Sequence, residues 1–320
     1  PDYLIIQHME PDHSASIPAF LKKYPNATVV STAKGFQFME QFFPEFFAEQ
    51  GLPAEQRIVA ANDGVLELGQ HSLHFVYASM VHWPEVMMTY EATEKILFAA
   101  DGFGKFGALD VEEEWADEAR RYYIGIVGKY GPQVQAVLKK AAGLDIWTIC
   151  SLHGPVLKEN LGFYLEKYDK WSSYQPEESG VVIAYASVYG NTRNAAEYLA
   201  DVLQEKGQKT VLYDLARCDK AKAVADAFRY DRLVLAGITY NGDLFPCMRS
   251  FIEGLTERNY QNRKVAIIEN GTWAPMAGKL ILGMFEKSKN LTFTETTVSI
   301  KSAMNEQNKG EIGKLAEELC

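Results

Sequence analysis

Histidine is missing from the second half of this chain: all six (His8, His13, His71, His74, His82 and His153) fall before residue 154 of 320. Imidazole chemistry is therefore confined to the first half. Cysteine is scarce as well. The four present (Cys150, Cys218, Cys247 and Cys320) lie far apart and form no C-x-x-C pair. That argues against a disulfide scaffold, a zinc ribbon and a cysteine-held iron–sulfur cluster. Basic residues are outnumbered 32 to 42, giving a formal net charge of −10, so unaided binding to a nucleic-acid backbone is not expected. No apolar run approaches the ~20 residues of a membrane helix, and no positively charged, apolar leader opens the sequence. The expected compartment is the cytoplasm. With 47% hydrophobic and 23% charged residues, disordered, collagenous and repeat-array readings fail, and a globular protein with a core remains. The length suits about two domains.

A boundary is legible. An amphipathic stretch from Leu161 to Tyr174 runs into Gln175-Pro176-Glu177-Glu178-Ser179-Gly180, a polar segment suited to an exposed linker. It divides a first domain, 1–174, from a second, 180–320. In the second, apolar runs at Val181–Ala186, Thr210–Tyr213, Leu233–Ile238, Val265–Ile268 and Thr292–Ile300 predict five strands. Helical stretches at Asn194–Lys206, Lys220–Phe228, Met248–Leu255 and Ala277–Lys287 separate them, and Gly310–Leu319 ends the chain. Continuous apolar strands alternating with helices imply a parallel sheet covered on both faces, here a flavodoxin-like, doubly wound sheet of five strands. The first domain is less regular. Strands are expected at Tyr3–Gln7, Thr28–Ser31, Arg57–Ala60, Leu73–Ala78, Ile96–Ala99 and Ile146–Cys150, with helices around Ser16–Lys23, Phe36–Phe43, Ala119–Val127 and Gln133–Ala142. This mixture suits an α/β sandwich. The chain opens with Pro1 directly on a strand, and its native beginning is expected to be missing.

The densest chemistry is His8-Met9-Glu10-Pro11-Asp12-His13. In an extended segment residues two apart share a side, so His8, Glu10 and Asp12 can converge, with His13 reaching a neighbouring point from the following turn. Three later residues would complete a shell: His82 between a strand and Pro84, Asp101 at the end of an apolar strand, and His153 after another. His71 and His74 lack such company and read as structural. Four imidazoles and three carboxylates exceed what one tetrahedral ion takes, so a binuclear site is the natural reading. Three carboxylates and a bridging hydroxide balance two divalent ions. The nitrogen and oxygen set without thiolate suits iron or manganese and is compatible with zinc.

In the second half, Ser187-Val188-Tyr189-Gly190-Asn191-Thr192 follows the first strand. Hydroxyls at both ends, amides at a helix start and a glycine for close approach make a cradle for one phosphate. The nucleotide-triphosphate and dinucleotide glycine patterns are absent, so a monophosphate such as that of FMN fits better. Thr239-Tyr240-Asn241-Gly242 and Asn270-Gly271-Thr272-Trp273 end the third and fourth strands, where doubly wound sheets bind ligands. Tyr240 and Trp273 are candidates to pack against the flavin ring.

The series His8-x-Glu10-x-Asp12-His13, His82, Asp101, His153, with the surrounding Met80-Val81-His82-Trp83-Pro84 and Leu152-His153-Gly154-Pro155, resembles that of the flavodiiron proteins. Those join a metallo-β-lactamase-like αββα sandwich to a flavodoxin-like domain, and the segment Gly180–Cys320 resembles the flavodoxins throughout. The family's zinc hydrolase relatives carry His where this chain has Glu10. The resemblance implies that His8, Glu10 and His82 hold a first iron, that Asp12, His13 and His153 hold a second, and that Asp101 bridges them. Hydrophobic neighbours such as Phe103, Trp83 and Met80 would line the metal pocket. It further implies FMN, reduction of O2 to water or NO to N2O or both, and a head-to-tail homodimer. Because the sequence contains no rubredoxin-like cysteine pairs, it also implies a separate electron donor, rubredoxin or a reduced deazaflavin. Family members carry several tens of residues before the first motif, which makes the sandwich expected here N-terminally incomplete. Ala274-Pro275-Met276 stands where relatives often have a more glycine-rich loop. Two other readings stay open: a zinc hydrolase of the lactamase-like class with an appended flavodoxin, and a flavodoxin-type carrier with an inactive metal domain.

Overall fold

A computed structural model describes residues 1–320. It divides into two compact units, Pro1–Tyr122 with Tyr130–Ser172, and Tyr123–Lys129 with Ser173–Cys320. In the first, β1 (Tyr3–Ile5), β2 (Thr28–Ser31) and β3 (Arg57–Val59) form a parallel sheet in that order. Helices α1 (Pro11–Ser14) and α2 (Ile17–Lys23) connect β1 to β2, and α3 (Ala33–Phe42) and α4 (Pro44–Glu49) connect β2 to β3. A second sheet runs β4 (Val65–Leu68), β5 (His71–Tyr77), β6 (Met87–Glu91), β7 (Ile96–Phe98) and β8 (Thr148–Cys150), antiparallel except for the final pair. Between β7 and β8 come α5 (Trp115–Ile126) and α6 (Gly131–Ala141); α7 (Leu161–Ser172) follows β8.

Successive residues of β2 face opposite ways, and this builds the layers. Val29 packs with Leu21, Phe36 and Met39 of the helices, whereas Val30 packs with Leu73, Phe75 and Met87 of the second sheet. The unit is thus a helix layer on a sheet on a second sheet, and α6 and α7 meet that second sheet at Ile149 of β8 through Leu138, Ala141, Leu161 and Leu165, which gives the αββα order of the lactamase-like sandwich.

Several boundaries differ from those expected. Helix α3 starts at Ala33 rather than Phe36 because the Thr32 hydroxyl accepts from Gly35 N–H and caps it. Phe43 does not continue that helix; Pro44 takes the first position of a new one, α4. Strand β6 was not expected. All five of its residues are buried, so it lacks the polar alternation that marks a half-exposed strand. Short β4, largely exposed, also went unexpected.

In the second unit, β9 (Glu178–Tyr185), β10 (Thr210–Asp214), β11 (Tyr230–Tyr240), β13 (Arg263–Asn270) and β14 (Leu291–Ile300) form an all-parallel sheet in the order β10-β9-β11-β13-β14, with the two-residue β12 (Asp243–Leu244) paired antiparallel to the end of β11. This is the flavodoxin-like order. Helices α8 (Asn191–Glu205) and α12 (Glu306–Glu318) cover one face, where Leu199, Leu203, Ile312 and Leu315 pack on Ile183, Val234, Ile268 and Val298. Helices α9 (Lys220–Arg229), α10 (Pro246–Thr256) and α11 (Ala277–Met284) complete the unit.

The polar segment expected as a linker through Gly180 joins the sheet earlier, since β9 begins at Glu178. Its carboxylate is held by Lys209 at 2.6 Å and by Arg229 Nε at 2.7 Å, and Gly180 N–H donates to Asp231 at 2.8 Å. Helix α8 likewise begins at Asn191, three residues earlier than expected, with Gly190 as its cap at φ +92°. The short segment Tyr123–Lys129 belongs to this unit through Arg258, which donates to Ile124 O at 3.0 Å, and Asn259, which donates to Lys129 O at 2.9 Å.

Candidate functional site

The first cluster is assembled by loops at strand ends. His8 and Glu10 follow β1 in extended backbone, but Pro11 opens the single turn α1, and Asp12 and His13 project from that turn. The simple two-residue alternation expected for His8, Glu10 and Asp12 therefore holds only for the first two. The turn sends Asp12 and His13 to a neighbouring point. Side chains of His8, Glu10, His82 and Asp101 offer ligand atoms within 4.8 Å of one another, and so, as a separate group, do those of Asp12, His13 and His153.

Asp101 lies between the groups. Its Oδ2 is 3.2 Å from His82 Nε2 and 3.5 Å from His8 Nε2, while its Oδ1 is 3.0 Å from His13 Nε2 and 3.8 Å from His153 Nε2. Glu10 Oε2 completes the first group at 3.2 Å from His8 Nε2 and 3.0 Å from His82 Nε2; Asp12 Oδ2 stands 3.2 Å from His153 Nε2 in the second. Burial alone would raise the Asp101 carboxyl, but the imidazoles of His13, His82 and His8 outweigh it and hold the group far below the usual carboxylate range. Burial pulls His8 down, and contacts with Glu85, Asp101 and Glu10 overcome that and raise it.

Whether these residues suit metal ions is tested by their own alignment. Asp101 Oδ1 and His13 Nε2 are buried and close, yet neither has a hydrogen bond. Buried polar atoms are ordinarily satisfied. In the first group His8 meets Glu10 and His82 meets Asp101 at hydrogen-bond distance, and the donor set as a whole, two nitrogens with two carboxylates on one side and two nitrogens with two carboxylates on the other, fits a pair of divalent ions sharing Asp101.

The loops that carry these ligands are strained. Met80, Ala100 and Phe103 take φ of +66°, +49° and +65°, a region costing L-residues about 1 kcal/mol or more each. Contacts fix them: Met80 N–H donates to Trp83 O at 2.8 Å, Ala100 O accepts from Leu152 N–H at 2.8 Å, and Phe103 N–H donates to Tyr168 OH at 2.7 Å. Trp83 meets His8 edge-on at 5.1 Å between ring centroids, while the Phe103 ring packs on Tyr168 at 4.3 Å. His71 and His74 stand apart; His71 pairs with Glu91 at 3.0 Å, and His74 with Ser72 at 3.3 Å.

Glu85 and Tyr122 were missed in the sequence. Glu85 is buried and its Oε1 is 2.7 Å from His8 Nδ1; Tyr122 packs on His153 at 5.4 Å, its phenol pushed up by burial and by Asp101.

A cavity of about 540 Å3 opens at the carboxyl ends of β9, β11 and β13 in the second unit. Of the residues picked from sequence, Ser187, Val188, Tyr189, Asn191, Thr192, Thr239, Tyr240, Asn241, Gly242, Asn270, Gly271, Thr272 and Trp273 line it, joined by Met276 and Ser302. Gly190, the remaining residue of the loop, donates its N–H to Ser187 Oγ at 3.2 Å. Thr239 Oγ1 accepts from Met276 N–H at 2.8 Å. Ser302 enters through Asn270, whose Nδ2 donates to Ser302 O at 2.9 Å, and through Thr272 at 2.8 Å. Tyr189 and Trp273 are 91% and 85% exposed, leaving two aromatic faces at the mouth.

The ODP family beta lactamase pattern matches residues 2–154, and the flavodoxin domain pattern matches residues 182–292. A diflavin flavoprotein of Synechocystis sp. is 34% identical over 68% of this chain and 38% of its own length. A nitric oxide reductase of Moorella thermoacetica is 27% identical over 88% of this chain and 70% of its own. The chain spans 38 to 63% of the length of the first curated relatives it matches. Among solved structures, the rubredoxin oxygen:oxidoreductase of Desulfovibrio gigas superposes with a TM-score of 0.89 at 22% identity, covering 99% of this chain and 80% of that one. The flavodiiron protein of Giardia intestinalis gives 0.87 at 23% identity with the same coverage. At these identities the two structures establish the fold.

Proposed function

Since the chain belongs to the flavodiiron proteins, an ODP-type beta-lactamase domain joined to a flavodoxin domain, we propose that it is an oxidoreductase reducing O2 to water, NO to N2O, or both. The carrying observation is Asp101, which turns one oxygen to each of two histidine–carboxylate groups. In this reading residues 1–174 form the metal domain, where His8, Glu10 and His82 hold one iron, Asp12, His13 and His153 the other, and Asp101 bridges. Residues 180–320 form the FMN domain. A diiron pair with FMN supplies single-electron and paired-electron transfer to a small diatomic molecule.

The residues set the conditions for that chemistry. Glu10 places a hard anionic oxygen where an imidazole would favour zinc. His8 is fully shielded, whereas Glu10 is 34%, Asp12 48% and His153 33% exposed at the side chain, so a diatomic substrate reaches the site over the edge that Glu10, Asp12 and His153 share. In the other domain, Ser187, Gly190 and the amides that start α8 receive a phosphate, aided by the positive end of the helix. Tyr240 and Trp273 offer faces to the ring. Support for the donor is by analogy: rubredoxin, as in the name of the Desulfovibrio gigas enzyme, or a reduced deazaflavin. A head-to-tail homodimer in the cytoplasm completes the proposal.

The deciding experiment is anaerobic stopped-flow of the reduced protein against O2 and NO separately, with iron and FMN quantified on the same sample. Two irons, one FMN and rapid reoxidation by either gas are expected. Zinc in place of iron, or FMN without iron and without gas consumption, would overturn the reading in favour of a hydrolase or an electron carrier.

A further inference from the structure

We propose that Glu85 is a positioning residue that fixes the tautomer and direction of His8, so that the Nε2 lone pair faces the first metal position. The inference rests on the diiron reading and adds a residue to it. Glu85 is 3% exposed. One oxygen, Oε1, takes both of its hydrogen bonds, from His8 Nδ1 at 2.7 Å and from Met9 N–H at 3.0 Å. The other oxygen, Oε2, is buried without a partner. Its own carbonyl accepts from the Thr32 hydroxyl at 3.1 Å, and the same hydroxyl caps α3. Glu85 is therefore tied to a helix start through its backbone carbonyl and to the His8 ring and the Met9 amide through its carboxylate.

A neutral imidazole carries one proton, and its position decides which nitrogen can bind a metal. On His8 the Nδ1 contact to a wholly buried carboxylate, 2.7 Å, is shorter than those of Nε2 to Glu10 at 3.2 Å and to Asp101 at 3.5 Å. A charged acceptor in a dry surrounding is the stronger partner, so the proton stays on Nδ1 and Nε2 is left free. Trp83, edge-on to His8, hinders rotation of the ring. One loop, His82-Trp83-Pro84-Glu85, thereby supplies a ligand to the first group and the support for another. Outer partners of this kind typically change metal affinity by about 10–100-fold when removed.

The test uses the full chain, stripped of metal by chelation and titrated with Zn2+ under calorimetry, as wild type, Glu85→Gln and Glu85→Leu. Long-range 1H–15N NMR of the metal-free proteins, at a pH where the imidazole is neutral, reads the tautomer of His8. Two binding steps are expected for wild type. In Glu85→Gln, whose amide oxygen can still accept from Nδ1 but without charge, one step should weaken by about 10–100-fold with the other unchanged. In Glu85→Leu the Nε2–H tautomer should appear. Wild-type His8 protonated on Nε2, zinc steps unaltered in Glu85→Gln, or both steps weakened equally, would each overturn the inference. If wild type takes up fewer than two ions, the diiron reading fails instead, and the tautomer spectra still decide the Glu85–His8 link. Should Glu85→Leu not fold, the Glu85→Gln titration and the wild-type spectrum carry the test.

Discussion

Asp101 Oδ1 stands 3.0 Å from His13 Nε2 without a hydrogen bond between them, while Oδ2 faces His82 at 3.2 Å. One carboxylate thus serves two groups of ligands. Replacing it by Asp101→Ala removes a ligand from both and leaves three histidine and carboxylate donors on each side. Iron content should fall below two per chain and gas consumption by more than about a hundredfold, beyond what loss of an outer partner costs. FMN content should not change, because the cavity lies in the other unit. Iron, flavin and gas-consumption assays on one preparation check this; retained turnover with two irons would refute the bridging role.

The phosphate loop predicts a different pattern. Ser187 Oγ accepts from Gly190 N–H at 3.2 Å, and Gly190 holds φ +92°, so the hydroxyl both shapes the turn and faces the cavity. Ser187→Ala removes a hydrogen bond of a kind worth about 1.5 kcal/mol with a charged partner, roughly a tenfold rise in the FMN dissociation constant. Fluorescence titration of the flavin-free protein measures it. Iron content and metal binding should stay at the wild-type level.

How much of this was legible in sequence varies with the physics of each segment. The second unit was readable because each central strand is a continuous apolar run between helices, as Val181–Ala186 and Val265–Ile268 are. The first was harder. Strand β6 is buried on both sides and shows no alternation, and Thr32 sets the start of α3 through a side-chain cap that apolar periodicity does not register. Likewise, His8 and Glu10 follow from extended backbone, whereas the separation of Asp12 and His13 depends on Pro11 opening a helical turn. Glu85 was invisible because its role is defined by His8, brought to it only by the fold. Ser302 reaches the flavin cavity for a similar reason, through Asn270 and Thr272.

Arg263 makes a stability prediction. It is 3% exposed and faces backbone carbonyls: Tyr230 O at 2.7 Å, Tyr174 O at 2.7 Å, Gln261 O at 3.0 Å, Asn262 O at 3.2 Å, and Phe228 O. Burial lowers its guanidinium from the ordinary value. Arg263→Met leaves several buried acceptors unpaired at about 1–3 kcal/mol for each group left unsatisfied, and Arg263→Lys cannot reproduce the planar fork. Urea unfolding followed by flavin fluorescence should show a loss of about 3 kcal/mol or more for Met and an intermediate loss for Lys. A midpoint unchanged in both would show that those carbonyls find water instead.

Glu178 carries the pH dependence. Burial acts to raise its carboxyl, but Lys209 and Arg229 outweigh burial and lower it. A carboxylate whose folded pKa is depressed favours folding at full strength above its unfolded pKa, about 4.3, and loses that contribution as pH falls through the lower, folded value. Because the pair is partly exposed, its worth is limited to about 1 kcal/mol or less. Glu178→Gln should therefore melt below wild type by a constant margin from pH 8 to pH 5. As pH falls below about 4, the margin should shrink as the wild-type group takes up its proton. Thermal unfolding of the two proteins across that range, at low salt where ion pairs are least screened, makes the comparison. A margin that persisted unchanged into acid would assign the loss to packing at the start of β9 rather than to charge.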